Sequence, residues 1–353
     1  MQDKKIRMAV VGCGHIGHRH IAMIGFNPDM ELVAVADVRP PAECDAPAGV
    51  PFFGSIDALL AAALNIDVVC ICTPNSLHAR QAAQVLASGA DVLIEKPIAI
   101  SVPDAEAIRR AEEESGRRVF TVFQNRYTPT SQWLRSVVSS GALGTISSVS
   151  VNCFWNRDKR YYAPGGWHGT REYDGGTLFT QFSHFVDLLL WTLGDVNVIS
   201  AQAADFAHKD LTDFEDTGVF LFRSVRDGAL GAFTYSTVTP IENFECAMSI
   251  VGTRGSVRLG GAYMNELQYC NVMGLEAPRF TPPPAPNDYG GYKGSAANHA
   301  LVFSHLADTL LGRADAGSMP GWEDGFRVVD LICRVYRAMG ADFTSSVPLS
   351  YKP

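Results

Sequence analysis

Between Ile6 and Phe26 the chain runs through a short apolar stretch, then Gly12-Cys13-Gly14-His15-Ile16-Gly17, then apolar residues at helical spacing. Few folds accommodate that order. Three glycines at this spacing permit a tight turn, close approach of backbone to a pyrophosphate, and close packing of the helix that follows, which reads as strand, dinucleotide turn and helix. The next apolar run ends at Asp37, twenty residues beyond Gly17, the spacing of an acid that grips a ribose. A carboxylate there accepts from both ribose hydroxyls and repels a 2'-phosphate, so NAD is expected over NADP, with Arg39 the neighbour able to swing over to a phosphate.

Further strand-like runs lie at 68–72, 92–94 and 119–122, with helix-like spacing over 77–88. This alternation predicts a parallel sheet. Thr73-Pro74-Asn75-Ser76-Leu77-His78 then forms a turn at the same sheet edge as the glycine loop, placed to touch the cofactor. The plainer alternative is a helix cap by Asn75 or Ser76. Val92-Leu93-Ile94-Glu95-Lys96-Pro97 is an apolar strand ending in a charged pair fixed by proline, which puts Lys96 at the carboxyl edge where open α/β sheets bind ligands.

From Phe123 the pattern changes to alternating strands at 146–155, 217–222, 230–237 and 247–251, then helical spacing over 296–311 and 322–339. The expected class is therefore α/β: a doubly wound parallel sheet over 1–122, and an α+β domain over 123–353 on a large, mostly antiparallel sheet. A length of 353 residues, 47% hydrophobic, agrees with two domains. The net charge of -8 argues against a nucleic-acid surface. No leader segment precedes Ile6 and no apolar run is long enough to span a bilayer, so a cytoplasmic protein without a membrane partner is expected. Its eight cysteines lack Cys-x-x-Cys spacing and read as reduced thiols. His15, His18 and His20 have no acid or cysteine cluster near them in sequence, and no metal is expected.

A second chemical signal is the predicted helix over 178–193, where Thr180, His184 and Asp187 fall at i, i+4 and i+7 on one face. The bland reading is a satisfied histidine packed against the sheet. Asp174-Gly175-Gly176 just before the helix favours a ligand cavity at its start, since glycines admit close approach. Upstream, residues 155–162 and 167–171 carry four cations against one acid, with Trp167 and Tyr161 among them. Arg157, Arg160 and Arg171 suit an anion site with stacking surfaces, for a substrate bearing phosphates, a carboxylate and a flat base. A solvated loop with aromatics packed on the sheet is the alternative. Gln124-Asn125-Arg126, Gln181 and Tyr289-Gly290-Gly291-Tyr292 are further polar candidates.

These residues resemble the Gfo/Idh/MocA family of oxidoreductases. The likeness rests on Gly12 to Gly17, Thr73-Pro74-Asn75 with His78, Glu95-Lys96-Pro97, Gly175-Gly176 with His184 and Asp187, and the turn from Gly252 to Gly255. Within the family, Gln124-Asn125-Arg126-Tyr127, Arg160-Tyr161-Tyr162 and Tyr289 to Tyr292 with Asn298-His299 are most similar to UDP-N-acetylglucosaminuronate 3-dehydrogenases. The resemblance implies an N-terminal Rossmann domain, a C-terminal domain whose open sheet supports a tetramer or dimer, and tightly held NAD. It implies Lys96 and His184 as the proton-handling pair, with Gly12, Gly14, His15, Ile16, Gly17, Asp37, Thr73, Pro74, Asn75, His78, Glu95, Lys96 and Gln124 at the cofactor. Arg126, Tyr127, Arg157, Arg160, Tyr161, Trp167, Arg171, Thr180, Gln181 and Tyr292 are the matching substrate set. Many relatives carry an acid where this chain has Thr180, so Thr180 is read as a positioning hydroxyl in the catalytic group. Dehydrogenation of a free sugar or polyol, and a non-catalytic NAD-binding regulator, remain the alternatives.

Overall fold

Ile6–Val11, Val68–Ile71 and Asp91–Ile94 are buried along nearly their whole length. Strands buried on both faces belong in the middle of a sheet covered by helices on each side. The computed structural model describes residues 5–162, 166–282, 293–294, 297–315 and 317–341. Among these, β1 (Ile6–Val11), β2 (Met30–Ala36), β3 (Phe52–Phe53), β4 (Val68–Ile71), β5 (Asp91–Ile94) and β6 (Val119–Thr121) form one sheet in the order β3-β2-β1-β4-β5-β6. Every pairing in it is parallel. The strand order reverses between β1 and β4, which is where doubly wound sheets open a crevice for a nucleotide. Covering helices start and stop on local signals: Ser101 accepts from Asp104 N ahead of Val102–Ser115, and Gly116 ends that helix at φ 65°.

The second sheet, again among described residues, runs β13-β12-β11-β7-β10-β9-β8. Its strands are β7 (Ile146–Phe154), β8 (Val196–Ala204), β9 (Thr217–Ser224), β10 (Leu230–Ser236), β11 (Glu245–Gly252), β12 (Gly255–Gly260) and β13 (Glu266–Val272). Only β7 and β10 pair in parallel. Period-two alternation gives it an inner face, with Phe220, Phe222, Phe233 and Tyr235 buried, and an outer face on which Leu221 and Leu230 are exposed. Ser183–Leu193 covers the inner face. Phe185 meets Trp155 at 5.5 Å between ring centroids, and Phe182, just ahead of the helix, meets Tyr235 at 5.9 Å.

The chain divides into two compact units, one holding the residues up to Phe123 with His299–Val329, the other Gln124–Asn298 with the described residues from Asp330 on. The predicted helix over 178–193 needs correction. Leu178–Phe182 is a π-helical turn, and α-helix begins only at Ser183. The two late helices run His299–Leu310 and Trp322–Ala338.

Candidate active site

In the first unit the glycine turn leaves β1 beside the turn that leaves β4. Gly12 adopts φ 93°, and a Cβ there would lie 2.6 Å from the Cys72 carbonyl oxygen. At Gly17 a Cβ would lie 1.9 Å from the Gly12 oxygen, so this position closes the turn onto its own helix. Gly14 differs: among the described residues, its chain neighbours aside, no atom lies within 4 Å of its missing Cβ. That bare face, backed by the helix start at His15 and Ile16, fits a pyrophosphate. Asp37 Oδ2 accepts from Cys13 N at 2.7 Å, and Arg39 forks onto the same carboxylate at 3.0 and 2.9 Å. Burial pushes the Asp37 carboxyl up, but the Arg39 bonds outweigh it and hold the group below its ordinary value.

Thr73 donates to Gln81 Oε1 at 2.5 Å, and Pro74 and Leu77 stand at the cap positions of the two short helical segments that follow. His78, with ring nitrogens 2.7 Å from the Pro97 carbonyl oxygen and 2.8 Å from that of Thr73, fastens the turn after β4 to the one after β5. Lys96 is half-buried in that second turn, and its backbone N–H donates to Glu95 Oε2 at 3.2 Å. The Glu95 side chain points inward. His20 Nε2 lies 2.9 Å from its Oε1 and His299 Nε2 lies 3.7 Å from it, all three residues being buried. Burial raises the Glu95 pKa, yet its bonds to the two histidines hold it well below the usual range. Sequence reading missed this cluster because its members are far apart in the chain.

In the second unit the chain enters its key helix through Gly175 at φ 86° and Gly176 at φ 129°. The Tyr336 hydroxyl fills the place of a Gly176 Cβ, so this glycine makes room for a side chain and not, as expected, for a ligand. Tyr336 Oη accepts from Leu178 N at 3.1 Å and donates to Glu215 Oε1 at 2.7 Å, where Tyr235 also donates at 3.0 Å. Burial pushes the Glu215 carboxyl up to about 7. The π-helical turn separates the roles of the three residues expected on one face. Thr180 donates to the Asp174 carboxylate. His184 is buried, with its Nε2 3.0 Å from the Gln124 amide nitrogen, and Asp187 forms a buried bidentate pair with Arg126, Nε to Oδ2 at 2.9 Å. Asn298 donates to the Gln124 carbonyl at 3.3 Å, which fixes that turn.

The basic aromatic stretch does not present its charges together. Arg157 is buried, donates to Gln181 Oε1 at 2.6 Å and lies over the rings of Trp155 and Tyr161 at 4.8 and 5.1 Å. Arg160 is exposed and forks onto Asp158 at 2.9 and 3.0 Å. Tyr161 packs with Tyr162 and Phe214, Trp167 stacks on His168 at 3.8 Å, and Arg171 N donates to Asp213. Tyr127 is partly buried next to Arg126, and burial raises its phenol pKa. Tyr292 lies outside the described residues.

A reversed-order parallel sheet with a glycine turn, an acid after β2 and a lysine turn after β5 defines a nicotinamide-dinucleotide oxidoreductase as the class. Residues 6–123 match the model described as "Oxidoreductase family, NAD-binding Rossmann fold", and 131–258 match "GFO/IDH/MocA C-terminal domain". The chain belongs to the Gfo/Idh/MocA family of NAD-binding oxidoreductases. It is similar to the WlbA dehydrogenase of Bordetella pertussis solved with NADH and UDP-GlcNAcA, at 32% identity and TM-score 0.84, covering 96% of this chain and 97% of that one. It is also 31% identical to inositol 2-dehydrogenase of Rhizobium meliloti over 61% of this chain, and 28% identical to D-glucoside 3-dehydrogenase of Escherichia coli over 58%. Those two matches span 64% and 59% of the relatives' own lengths. No described helix is long and apolar enough to cross a membrane.

Proposed function

We propose that the protein oxidises a sugar hydroxyl with NAD, and that its substrate is UDP-N-acetylglucosaminuronate, oxidised at C3. The observation that carries this reading is the likeness, along nearly the whole chain, to a dehydrogenase solved with that sugar nucleotide. Bound NAD supplies the hydride acceptor. On the protein side, Lys96 donates to the oxygen of the reacting hydroxyl and stabilises the charge that develops there. His184 takes the hydroxyl proton as the C–H hydride departs, leaving a ketone. The Gln124 amide nitrogen lies 3.0 Å from His184 Nε2, and that bond gives way to the substrate hydroxyl so that the nitrogen can take the proton. Arg160 and Arg171 serve the acidic groups of the substrate, while Arg157 and Gln181 brace one another beneath them. Further copies of the chain cover the outer face of the second sheet, giving a dimer or tetramer.

The inositol and glucoside dehydrogenases among the relatives favour a second reading, an unactivated polyol or sugar substrate. Reduction of NAD measured with UDP-N-acetylglucosaminuronate, UDP-N-acetylglucosamine, a glucoside and inositol separates the two. The uronate is expected to give the highest kcat/KM, by about tenfold or more over its uncharged counterpart, since a charge-assisted bond to a carboxylate is lost in the latter. Equal or better turnover of inositol or the glucoside would transfer the assignment to the second reading.

A further inference from the structure

We infer that Asp174 is a positioning residue for this oxidation, lending through Thr180 the carboxylate that position 180 itself lacks. The inference rests on the dehydrogenase reading above. Asp174 is fully buried, and its Oδ2 accepts from Gly169 N at 2.7 Å. Its Oδ1 takes the hydroxyl proton of Thr180, whose Oγ1 also lies 3.0 Å from the Asp174 carbonyl oxygen. Nothing in the spacing requires this meeting. It follows from the fold-back of Gly175 and Gly176, both at positive φ, which returns the chain over the carboxylate it has just left.

The chemical consequence comes from proton counting. A threonine hydroxyl has one proton and two lone pairs. With its proton committed to a carboxylate, Thr180 Oγ1 can only accept from a hydroxyl that reaches it, and a charge-assisted donor bond makes it a stronger acceptor. Thr180 is only half-buried, whereas Asp174 is sealed. The arrangement therefore presents an oriented, polarised oxygen four residues before His184, where an unsupported threonine would be free to point its proton at the substrate. No net proton reaches Asp174: the carboxylate holds the hydroxyl's orientation while His184 receives the substrate proton.

The test is a double-mutant cycle on full-length protein, reading kcat, KM for the alcohol, NAD affinity and Tm. D174N is expected to lower kcat by about tenfold to a hundredfold, the worth of a bond to a charged group, with NAD affinity unchanged. T180V is expected to match it, T180S to stay near wild type, and D174N added to T180V to cost nothing more in kcat. D174N/T180D, which restores a carboxylate, is expected to recover most of the rate. Loss of kcat from D174N that persists undiminished in the T180V background would overturn the inference, because Asp174 would then act by a route other than Thr180. Should D174N fail to fold, equal kcat in T180V and T180S would overturn it. Rates are taken with UDP-N-acetylglucosaminuronate or, if wild type does not oxidise that sugar, with whichever alcohol of the inositol and glucoside series it does oxidise. A wrong sugar and a wrong role for Asp174 thus give different results, and a wild type that oxidises none of them overturns both.

Discussion

On the proposed reading, the Asp37–Arg39 pair sets the cofactor's selectivity. Their fork keeps the carboxylate ionised and aimed across the mouth of the glycine turn, and it also occupies the guanidinium that would otherwise welcome a 2'-phosphate. Asp37→Ala should therefore weaken NAD and strengthen NADP, shifting the ratio of dissociation constants by about tenfold or more. Fluorescence titration with both cofactors checks it, and an unchanged ratio would remove Asp37 from ribose recognition. Lys96→Met should abolish hydride transfer while NAD stays bound. Full activity in that variant would take the lysine out of the chemistry. Glu215 gives a pH prediction. Its carboxyl titrates near 7 in the fold against 4.5 when exposed, so between those values the folded chain holds the extra proton and stability falls as pH rises. Glu215→Gln keeps an acceptor for Tyr336 and Tyr235 and removes that fall. It should raise Tm at pH 8, by the equivalent of at most about 3 kcal/mol, and change it little near pH 4.5.

Whole elements differ in how plainly the sequence announces them. The glycine turn was legible because its demands are local: each of its three positions answers to backbone geometry within a few residues. The same logic separates two substitutions. Gly17→Ala drives a Cβ into the Gly12 carbonyl and should destabilise the first unit, whereas Gly14→Ala meets no described atom beyond its chain neighbours and should keep Tm while losing NAD affinity. Equal losses of Tm would contradict the geometry. The central strands of both sheets were legible for a related reason, their burial being continuous or cleanly alternating. The edge strands β8 and β13 expose most residues and carry little pattern. Least legible was the π-helical turn at Leu178–Phe182. Its start is packed on Tyr336, far along the chain, whose hydroxyl accepts from Leu178 N and occupies the space a Gly176 Cβ would need. Helical spacing alone therefore grouped Thr180, His184 and Asp187, although each has a different partner.

At the scale of the molecule, the first unit holds the glycine-turn edge of the parallel sheet with Lys96, and the second holds the helix bearing His184. In the second unit the buried Asp187 carboxylate is paired with Arg126. Breaking the Arg126–Asp187 fork by Asp187→Ala should cost about 3–5 kcal/mol, since an arginine would be left buried without its carboxylate. Chemical denaturation checks it. Assembly is tested by Leu221→Glu on the outer sheet face, where light scattering should register a smaller particle than wild type. The central claim, hydride transfer from a UDP-linked uronic sugar to NAD, is tested most directly with UDP-N-acetylglucosaminuronate carrying deuterium at C3. Mass spectrometry of cofactor and sugar should find the label on the reduced nicotinamide and a keto product without it. Label retained on unreacted sugar, with NAD bound to the protein, would contradict the claim.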